Sequence, residues 1–226
     1  MVKVACCWDD GVVNDIKLIS LLKKYNAKAT FNLCPGLMPE QTDVPRWLGK
    51  GELRWTFKGF INGYVGLKDL KEVYGDFQVA SHGWTHKVGT APADEFIKDA
   101  LDARHYLEDV FQRECLGYAW PCGAYTPESA KLLKDAGFLY GRTIENTEHV
   151  GVTDTPMRLN SSCHFQAWDF MHKFQAVKER GGIFYFWGHS YELLECEDLW
   201  KQFENKLDML SSDPEVEWID VIDIVR

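Results

Sequence analysis

The strongest constraint on the fold is the alternation of short apolar, β-rich runs with amphipathic stretches of helical period. Parallel strands need a crossover connection, usually a helix, so this alternation predicts an α/β fold with right-handed strand–helix–strand units. The predicted strands are Val2 to Trp8, Ala27 to Cys34, Phe77 to Ser81, Cys115 to Ala119, Leu139 to Thr143, Ile183 to Trp187 and Trp218 to Ile224. The predicted helices are Asn14 to Tyr25, with Asn14 as N-cap, Ala93 to Phe111, Pro127 to Ala136, Trp168 to Glu179 and Glu197 to Leu210. The repeats fit a parallel sheet or barrel, and the 226 residues fit one domain, 1–226.

One segment breaks this alternation. Pro35 to Gly66 is rich in glycine, proline and aromatic residues. We therefore predict an irregular excursion there, with a hairpin within Leu53 to Tyr64. This excursion and Glu145 to Phe165 are the segments long enough to close the mouth of a pocket.

Charge and apolar content exclude several kinds of partner. The formal net charge is −9 with a pI near 5.3, and the lysines are scattered, so no nucleic-acid-binding surface is expected. An acidic protein favours a neutral or cationic substrate over an anionic polymer. No apolar run approaches the roughly 18 to 20 residues of a membrane span, so membrane insertion is not expected.

The cysteines and the amino-terminal residues bear on the compartment. The seven cysteines include no CxxC pair, which argues against a disulfide scaffold and against a thiolate zinc site. No removable leader is visible before Asp9. We therefore predict a cytoplasmic protein, although an exported chain with its leader trimmed would have the same sequence.

Polar clusters stand directly after four predicted strands. Each cluster alone could be an ordinary turn, because Asp and Gly are the commonest residues in turns and helix starts. In barrels, however, the residues just past the strand ends meet at one face, where catalysis occurs. The four clusters are therefore predicted to form one site: Asp9-Asp10-Gly11, Ser81-His82-Gly83-Trp84-Thr85-His86, Trp120-Pro121-Cys122-Gly123 and Gly188-His189-Ser190.

The second cluster has the character of a metal site. His82 and His86 are spaced i, i+4, which puts both imidazoles on one side of a helix or tight turn. Imidazole nitrogens suit Zn²⁺, Co²⁺ or Ni²⁺, and a nearby aspartate is available as third ligand. Two histidines and one carboxylate leave a coordination position open for water, as catalysis requires.

His189 and the aromatic residues around the clusters allow two interpretations each. A lone histidine is often a core residue that bonds a backbone carbonyl, but the strand-end position of His189 favours a group that titrates near neutral pH. The aromatic residues could either pack the barrel mouth or stack on a substrate. They are Trp84, Trp120, Trp187 and Tyr191.

In motif content and order the chain resembles the polysaccharide deacetylases of the carbohydrate-esterase class, whose homology domain covers nearly this whole length. Asp9-Asp10-Gly11 is similar to the end of the family's Thr-Phe-Asp-Asp-Gly motif. Ser81 to His86 matches the second motif almost completely. Ala119-Trp120-Pro121-Cys122-Gly123 stands where Arg-x-Pro-x-Gly belongs, and Trp187-Gly188-His189 stands for Leu-x-His.

The resemblance implies a distorted, TIM-like (β/α) barrel of seven or eight strands with one divalent metal ion, commonly zinc. By this resemblance the ligands would be Asp10, His82 and His86. Asp9 would be the general base and His189 the general acid. The backbone N–H of Cys122 would hold the oxyanion, which needs no particular side chain at that position.

Two departures from the family pattern leave supporting roles open. Ala119 replaces the arginine that usually orients the base, and the fourth motif, which usually tunes the catalytic histidine, is absent. Arg142 could supply a guanidinium from another direction, or form a surface ion pair instead. Asp154 and Asp169 are weaker candidates to pair with His189. Glu192 could line the pocket, but a solvated helix start is the favoured interpretation.

The leading functional hypothesis is a metal-dependent deacetylase or amidase that acts on carbon–nitrogen bonds outside peptides, or on acetyl esters. Its substrate would be an acetylated saccharide or a related small amide. One alternative is a non-catalytic carbohydrate-binding protein on the same fold. Another is an amidase that acts on a non-sugar C–N bond, with or without a metal.

Overall fold

A barrel of parallel strands is the centre of the computed structural model, which describes residues 1–152 and 155–226. The strands are β1 (Val2–Asp10), β2 (Thr30–Leu33), β3 (Arg46–Trp47), β4 (Phe60–Ile61), β5 (Gln78–Ser81), β6 (Gly117–Ala119), β7 (Tyr140–Asn146), β8 (Leu159–Ser161), β9 (Cys163–His164), β10 (Gly182–Gly188) and β11 (Val216–Trp218). The main sheet has the order β8-β7-β6-β5-β2-β1-β10-β9, and β11 pairs with β1. Every pairing in this sheet is parallel, which confirms the predicted (β/α) barrel.

The chain between β8 and β9 brings the two ends of the sheet together. β8 pairs with β7, and after Ser162 the same run of chain pairs with β10 as β9. The backbone N–H of Ser162 donates to the carbonyl oxygen of Tyr185 over 2.6 Å at this junction. The barrel is therefore nearly closed. No strand was predicted here, because runs of two and three residues are too short to give a recognisable pattern.

Strand β1 separates two layers of the core. Val4 and Trp8 pack in the layer that contains the helices, whereas Ala5 and Cys7 pack with Tyr185 in a second cluster. This alternation follows from the pleat, which points successive side chains to opposite faces. Asp9 continues the series of Ala5 and Cys7 and is likewise buried.

The helices are α1 (Asn14–Lys24), α2 (Leu70–Tyr74), α3 (Ala93–Phe111), α4 (Pro127–Asp135), α5 (Phe170–Arg180) and α6 (Glu197–Ser211). All five predicted helices are present within two residues of their predicted bounds, and α2 was not predicted. The N-cap assignment of Asn14 is wrong, because Val13 holds that position and the Asn14 amide donates to the carbonyl oxygen of Leu194 over 3.3 Å. None of the helices in the described ranges is long and apolar enough to cross a bilayer.

Two other predictions are shifted along the chain. The last strand is β11, and Val221–Ile224, predicted as its end, forms a 3₁₀ turn. The excursion does carry a hairpin, but β3 begins at Arg46, before the predicted first arm. An isolated bridge between Val12 and Tyr64 attaches the excursion to the chain that leaves β1.

Candidate active site

The polar clusters meet in one pocket at the carboxyl ends of the strands. Asp9 and Asp10 end β1, His82 follows β5, and His189 follows β10. They line a pocket of about 580 Å³. The other predicted site residues that line this pocket are His86, Trp120, Cys122, Arg142, Trp187 and Tyr191.

Asp9 is a buried carboxylate with a fixed orientation. Arg142 donates a hydrogen bond to Oδ2 of Asp9, and Asn32 donates to Oδ1 over 2.7 Å. Burial, the largest influence, would raise the pKa of Asp9. The positive charge of Arg142, with contributions from the neighbouring histidines and the Asn32 hydrogen bond, outweighs burial and holds this pKa well below its ordinary range. Asp9 is therefore ionised.

Arg142 supplies the guanidinium that is missing at position 119. It lies on β7 as the register partner of Ala119 on β6, so the charge comes from the neighbouring strand. The Trp187 ring covers the guanidinium, whose central carbon lies 4.8 Å from the ring centroid. Arg142 is 1% exposed, so the alternative of a surface ion pair is wrong.

Asp10, His82 and His86 have spacings that suit one divalent ion. Oδ1 of Asp10 lies 3.7 Å from Nε2 of His82 and 3.8 Å from Nε2 of His86. Ligand atoms bound at about 2 Å to one tetrahedral ion stand roughly 3 to 4 Å apart. Nδ1 of His82 lies 2.8 Å from the carbonyl oxygen of Ala119, which anchors the ring as in many metal-ligating histidines. The residues therefore fit a metal ion.

The protonation of His82 also suits a ligand. Burial, the largest influence, lowers its pKa to about 4 although Asp9 and Asp10 act in the opposite direction. A neutral imidazole is the form that binds metal. Cys34, which was not a predicted site residue, also has its Sγ within 4.8 Å of ligand atoms of Asp10 and His82.

The backbone around the ligands is bent in an unusual way. Residues 82 to 86 form no helix, and Gly83 and His86 have φ angles of +79° and +60°. Asp10 has a φ of +79°, which interrupts the strand alternation and lets both carboxylates face the same pocket. Left-handed non-glycine residues are strained, and such strain concentrates at functional sites.

His189 reaches the two aspartates with one ring nitrogen. Its Nε2 lies 3.8 Å from Oδ2 of Asp9 and 4.0 Å from Oδ2 of Asp10. Its other nitrogen, Nδ1, lies 2.8 Å from Oε1 of Glu192. Burial would lower the pKa of His189, but the Glu192 hydrogen bond and the two aspartates raise it to about 9. The alternative of a core histidine bonded to a carbonyl is wrong.

Glu192 is the acid that pairs with His189, the position for which Asp154 and Asp169 were the candidates. Its side chain is 12% exposed, so the interpretation as a solvated helix start is wrong. Asp169 instead pairs with Lys173 over 3.2 Å. Asp154 lies outside the described residues.

The aromatic residues divide between packing and the pocket wall. Trp120 is fully buried, and its indole donates to the carbonyl oxygen of Met157 over 2.9 Å, which favours the packing interpretation. Tyr191 stacks on His189 with ring centroids 4.8 Å apart. Cys122 is exposed at the rim with a φ of +55°.

Several residues of the site were missed by sequence reasoning. Asn32 lies beside Asp9 in register, a relation visible only once β1 and β2 are paired. Trp55, Asn62 and Tyr64 line the pocket from the excursion. The aromatic content of Pro35 to Gly66 was the signal that could have indicated them.

Comparisons with known proteins point to the same family as the sequence motifs. A family model described as polysaccharide deacetylase matches residues 2–141. Among solved structures, the chain is similar to a Mycobacterium smegmatis protein assigned to the polysaccharide deacetylases, with 15% identity and a TM-score of 0.64, covering 99% of this chain and 88% of that one. It is also similar to a family 4 acetyl xylan esterase from Clostridium thermocellum in complex with a cobalt ion, with 14% identity, a TM-score of 0.56 and coverage of 98% and 89%.

A third similar structure is a CE4 family pseudoenzyme from Bacillus anthracis, with 15% identity, a TM-score of 0.55 and coverage of 99% of this chain and 65% of that one. The chain spans only 55% and 40% of the length of two further solved deacetylases. No curated protein sequence matches the chain. At these identities the structural likeness concerns the fold alone.

Proposed function

Because the chain belongs to the polysaccharide deacetylase family, we propose that it is a metal-dependent hydrolase that removes acetyl groups from an N- or O-acetylated carbohydrate. The observation that carries the proposal is the convergence of two sets of groups in one pocket. One set is Asp10, His82 and His86, whose spacing suits one ion. The other is Asp9 and His189, which suit proton transfer.

Asp10, His82 and His86 would hold the metal ion, with zinc proposed and cobalt or nickel as possible substitutes. A divalent ion in this position supplies positive charge that acidifies water and polarises an acyl carbonyl. The neutral state and anchored ring of His82 support its part as a ligand. The cobalt ion of the Clostridium thermocellum esterase supports the choice of a divalent metal.

Asp9 and His189 would handle the protons. Asp9, ionised and oriented by Arg142, accepts the proton of the attacking water. The water oxygen bonds to the acetyl carbon, and the C–N or C–O bond then breaks. His189, with Nε2 facing the aspartates, gives its proton to the departing amine or alcohol. One substrate and one water thus become acetate and a deacetylated product.

The remaining residues would bind the substrate. We assign the oxyanion to the backbone N–H of Cys122, at the pocket rim. Trp55, Tyr64 and Tyr191 offer aromatic surface for a sugar ring. Arg142 is occupied by Asp9 and covered by Trp187, so it is a poor partner for an anionic sugar. A neutral saccharide is therefore the proposed substrate.

The proposal is tested by acetate release from N-acetylated chito-oligosaccharides, acetylated xylan and peptidoglycan fragments. Protein loaded with zinc, cobalt or nickel is expected to release acetate from at least one of them, and chelated protein is not. If metal-loaded protein releases acetate from none of these substrates, the proposal that it deacetylates a saccharide is contradicted.

The alternative of a non-catalytic carbohydrate binder gains some support from the pseudoenzyme among the similar structures and from Ala119. The contact between Arg142 and Asp9 argues against the binder, because Arg142 provides Asp9 with the guanidinium that position 119 lacks. Saccharide binding without acetate release would favour the binder. Turnover of a non-sugar amide without turnover of any saccharide would favour the amidase.

A further inference from the structure

Glu192 bridges two histidine rings next to the pocket. Its Oε1 lies 2.8 Å from Nδ1 of His189, and its Oε2 lies 2.9 Å from Nε2 of His164 on β9. The three side chains are between 12% and 29% exposed. Of these groups only His189 also approaches the two aspartates. His164 and Glu192 therefore stand behind His189 as seen from Asp9.

The hydrogen bonds fix where the protons are. The backbone N–H of Gln166 donates to Nδ1 of His164 over 3.2 Å, so this nitrogen is an acceptor. Neutral His164 then carries its proton on Nε2, the ring nitrogen that lies 2.9 Å from Oε2 of Glu192. A carboxylate can only accept, so the donor in the hydrogen bond between Glu192 and His189 is Nδ1–H of His189. Nε2 of His189 is left for the pocket.

The fold brings β9 close enough to β10 for this arrangement. His164 is the register partner of Trp187, and their rings meet edge to face with centroids 5.0 Å apart. A Cβ at position 188 would lie 2.1 Å from a ring carbon of Phe165 and 3.2 Å from Nε2 of His164. Glycine at position 188 therefore permits the close approach of His164.

We propose that His164, Glu192 and His189 form a relay in which Glu192 and His164 are positioning residues for the acid. Glu192 holds the His189 ring with Nδ1–H toward itself and Nε2–H toward the leaving group, and His164 holds Glu192. The inference rests on the hydrolysis proposed above. There, His189 protonates the departing nitrogen as the C–N bond breaks, while Asp9 holds the proton taken from water.

The test compares leaving groups that differ in their need for a proton. An amine departs only when protonated, whereas 4-nitrophenolate departs without a proton. Glu192→Gln is expected to lower kcat for N-acetylated chito-oligosaccharides about 10- to 100-fold with KM little changed. Turnover of 4-nitrophenyl acetate is expected to fall less than about threefold, because that reaction bypasses the acid. Glu195→Gln, at an exposed carboxylate of the same loop, is the control.

His164→Asn provides the second variant. It is expected to lower the amide kcat by about 3- to 10-fold, and to add nothing to Glu192→Gln, because His164 acts through Glu192. His172→Asn, at an exposed histidine, is its control. Additive losses in the double variant, or equal losses on the amide and the activated ester, would overturn the relay.

A measurement that needs no turnover separates this inference from the proposed function. Ring ¹⁵N resonances of the wild-type protein are expected to show the proton of His164 on Nε2, and Glu192→Gln is expected to shift the ring resonances of both His164 and His189. Unshifted resonances contradict the relay even if the enzyme is active. Shifted resonances support it even if wild-type protein releases no acetate, a result that counts against the hydrolase alone.

Discussion

At the scale of single residues, the adjacent aspartates are assigned different roles by what surrounds them. Asp9 bonds Arg142 and Asn32, whereas Asp10 stands 3.7 and 3.8 Å from two histidine nitrogens. Asp9→Asn is expected to retain metal binding and lower kcat at least 100-fold, because only the proton acceptor is lost. Asp10→Asn is expected to weaken metal binding at least tenfold. Isothermal titration with zinc and acetate release distinguish the two, and similar metal affinities for both variants would contradict the assignment.

The buried ion pair of Asp9 and Arg142 also contributes to the stability of the folded protein. Arg142→Met leaves Asp9 as a buried charge without its guanidinium partner, which costs about 3 to 5 kcal/mol in the free energy of unfolding. Adding Asp9→Asn removes that charge and is expected to recover more than half of the loss. Urea unfolding of metal-free proteins measures both steps. A double variant no more stable than Arg142→Met would mean that the cost lies in lost packing against Trp187 instead.

At the scale of elements, periodicity predicted the long helices and the buried strands well, because each repeats one pattern over many residues. The short strands β8 and β9 escaped detection, since their position is set by pairing with β7 and β10 rather than by local sequence. Residues of the site that depend on pairing between distant segments were likewise not predictable from local sequence. Asp9, His82 and His189 were predictable from strand ends, whereas His164 acquires its role only through the contact with Glu192.

The excursion is the element that we expect to select the substrate. Trp55 is 64% exposed, lines the pocket and meets Tyr191 edge to face with centroids 5.5 Å apart. Trp55→Ala is expected to raise KM for chito-oligosaccharides about 3- to 10-fold with a smaller change in kcat, as lost stacking weakens ground-state binding. Trp168→Ala, at a tryptophan 96% exposed and outside the pocket lining, is the control. Equal KM values for the two variants would exclude stacking on Trp55.

At the scale of the whole molecule, the barrel brings together groups that are far apart in the chain. Asp9 and Arg142 are separated by 133 positions, and no local pattern links them. Their contact follows from the strand order. Asp9 on β1 and Arg142 on β7 both point their side chains into the interior of the same barrel. The sequence therefore indicated Arg142 only as one open candidate, whereas the closed sheet identifies it as the partner of Asp9.

Asp15 makes the stability of the whole fold depend on pH. It is fully buried at the start of α1, where it accepts hydrogen bonds from Tyr74 on α2 over 2.8 Å and from Ser190 after β10 over 2.5 Å. Burial, the largest influence, raises the pKa of Asp15 to about 7 although both hydroxyl bonds lower it. The folded protein therefore holds Asp15 neutral at pH values where the unfolded chain has already ionised it.

A folded-state pKa above the unfolded value means that stability from this group is complete at low pH and is lost as pH rises through about 7. Asp15→Asn cannot ionise, so its free energy of unfolding relative to wild type is expected to increase from pH 4 to 7 and then level off. The full change is about 4 kcal/mol, because the pKa of about 7 in the folded protein lies well above the ordinary value that Asp15 has in the unfolded chain. Urea unfolding of both proteins in chelator across this range measures the difference, with Asp94→Asn at an exposed carboxyl as control. A difference that stays constant from pH 4 to 9 would show that Asp15 does not titrate on folding.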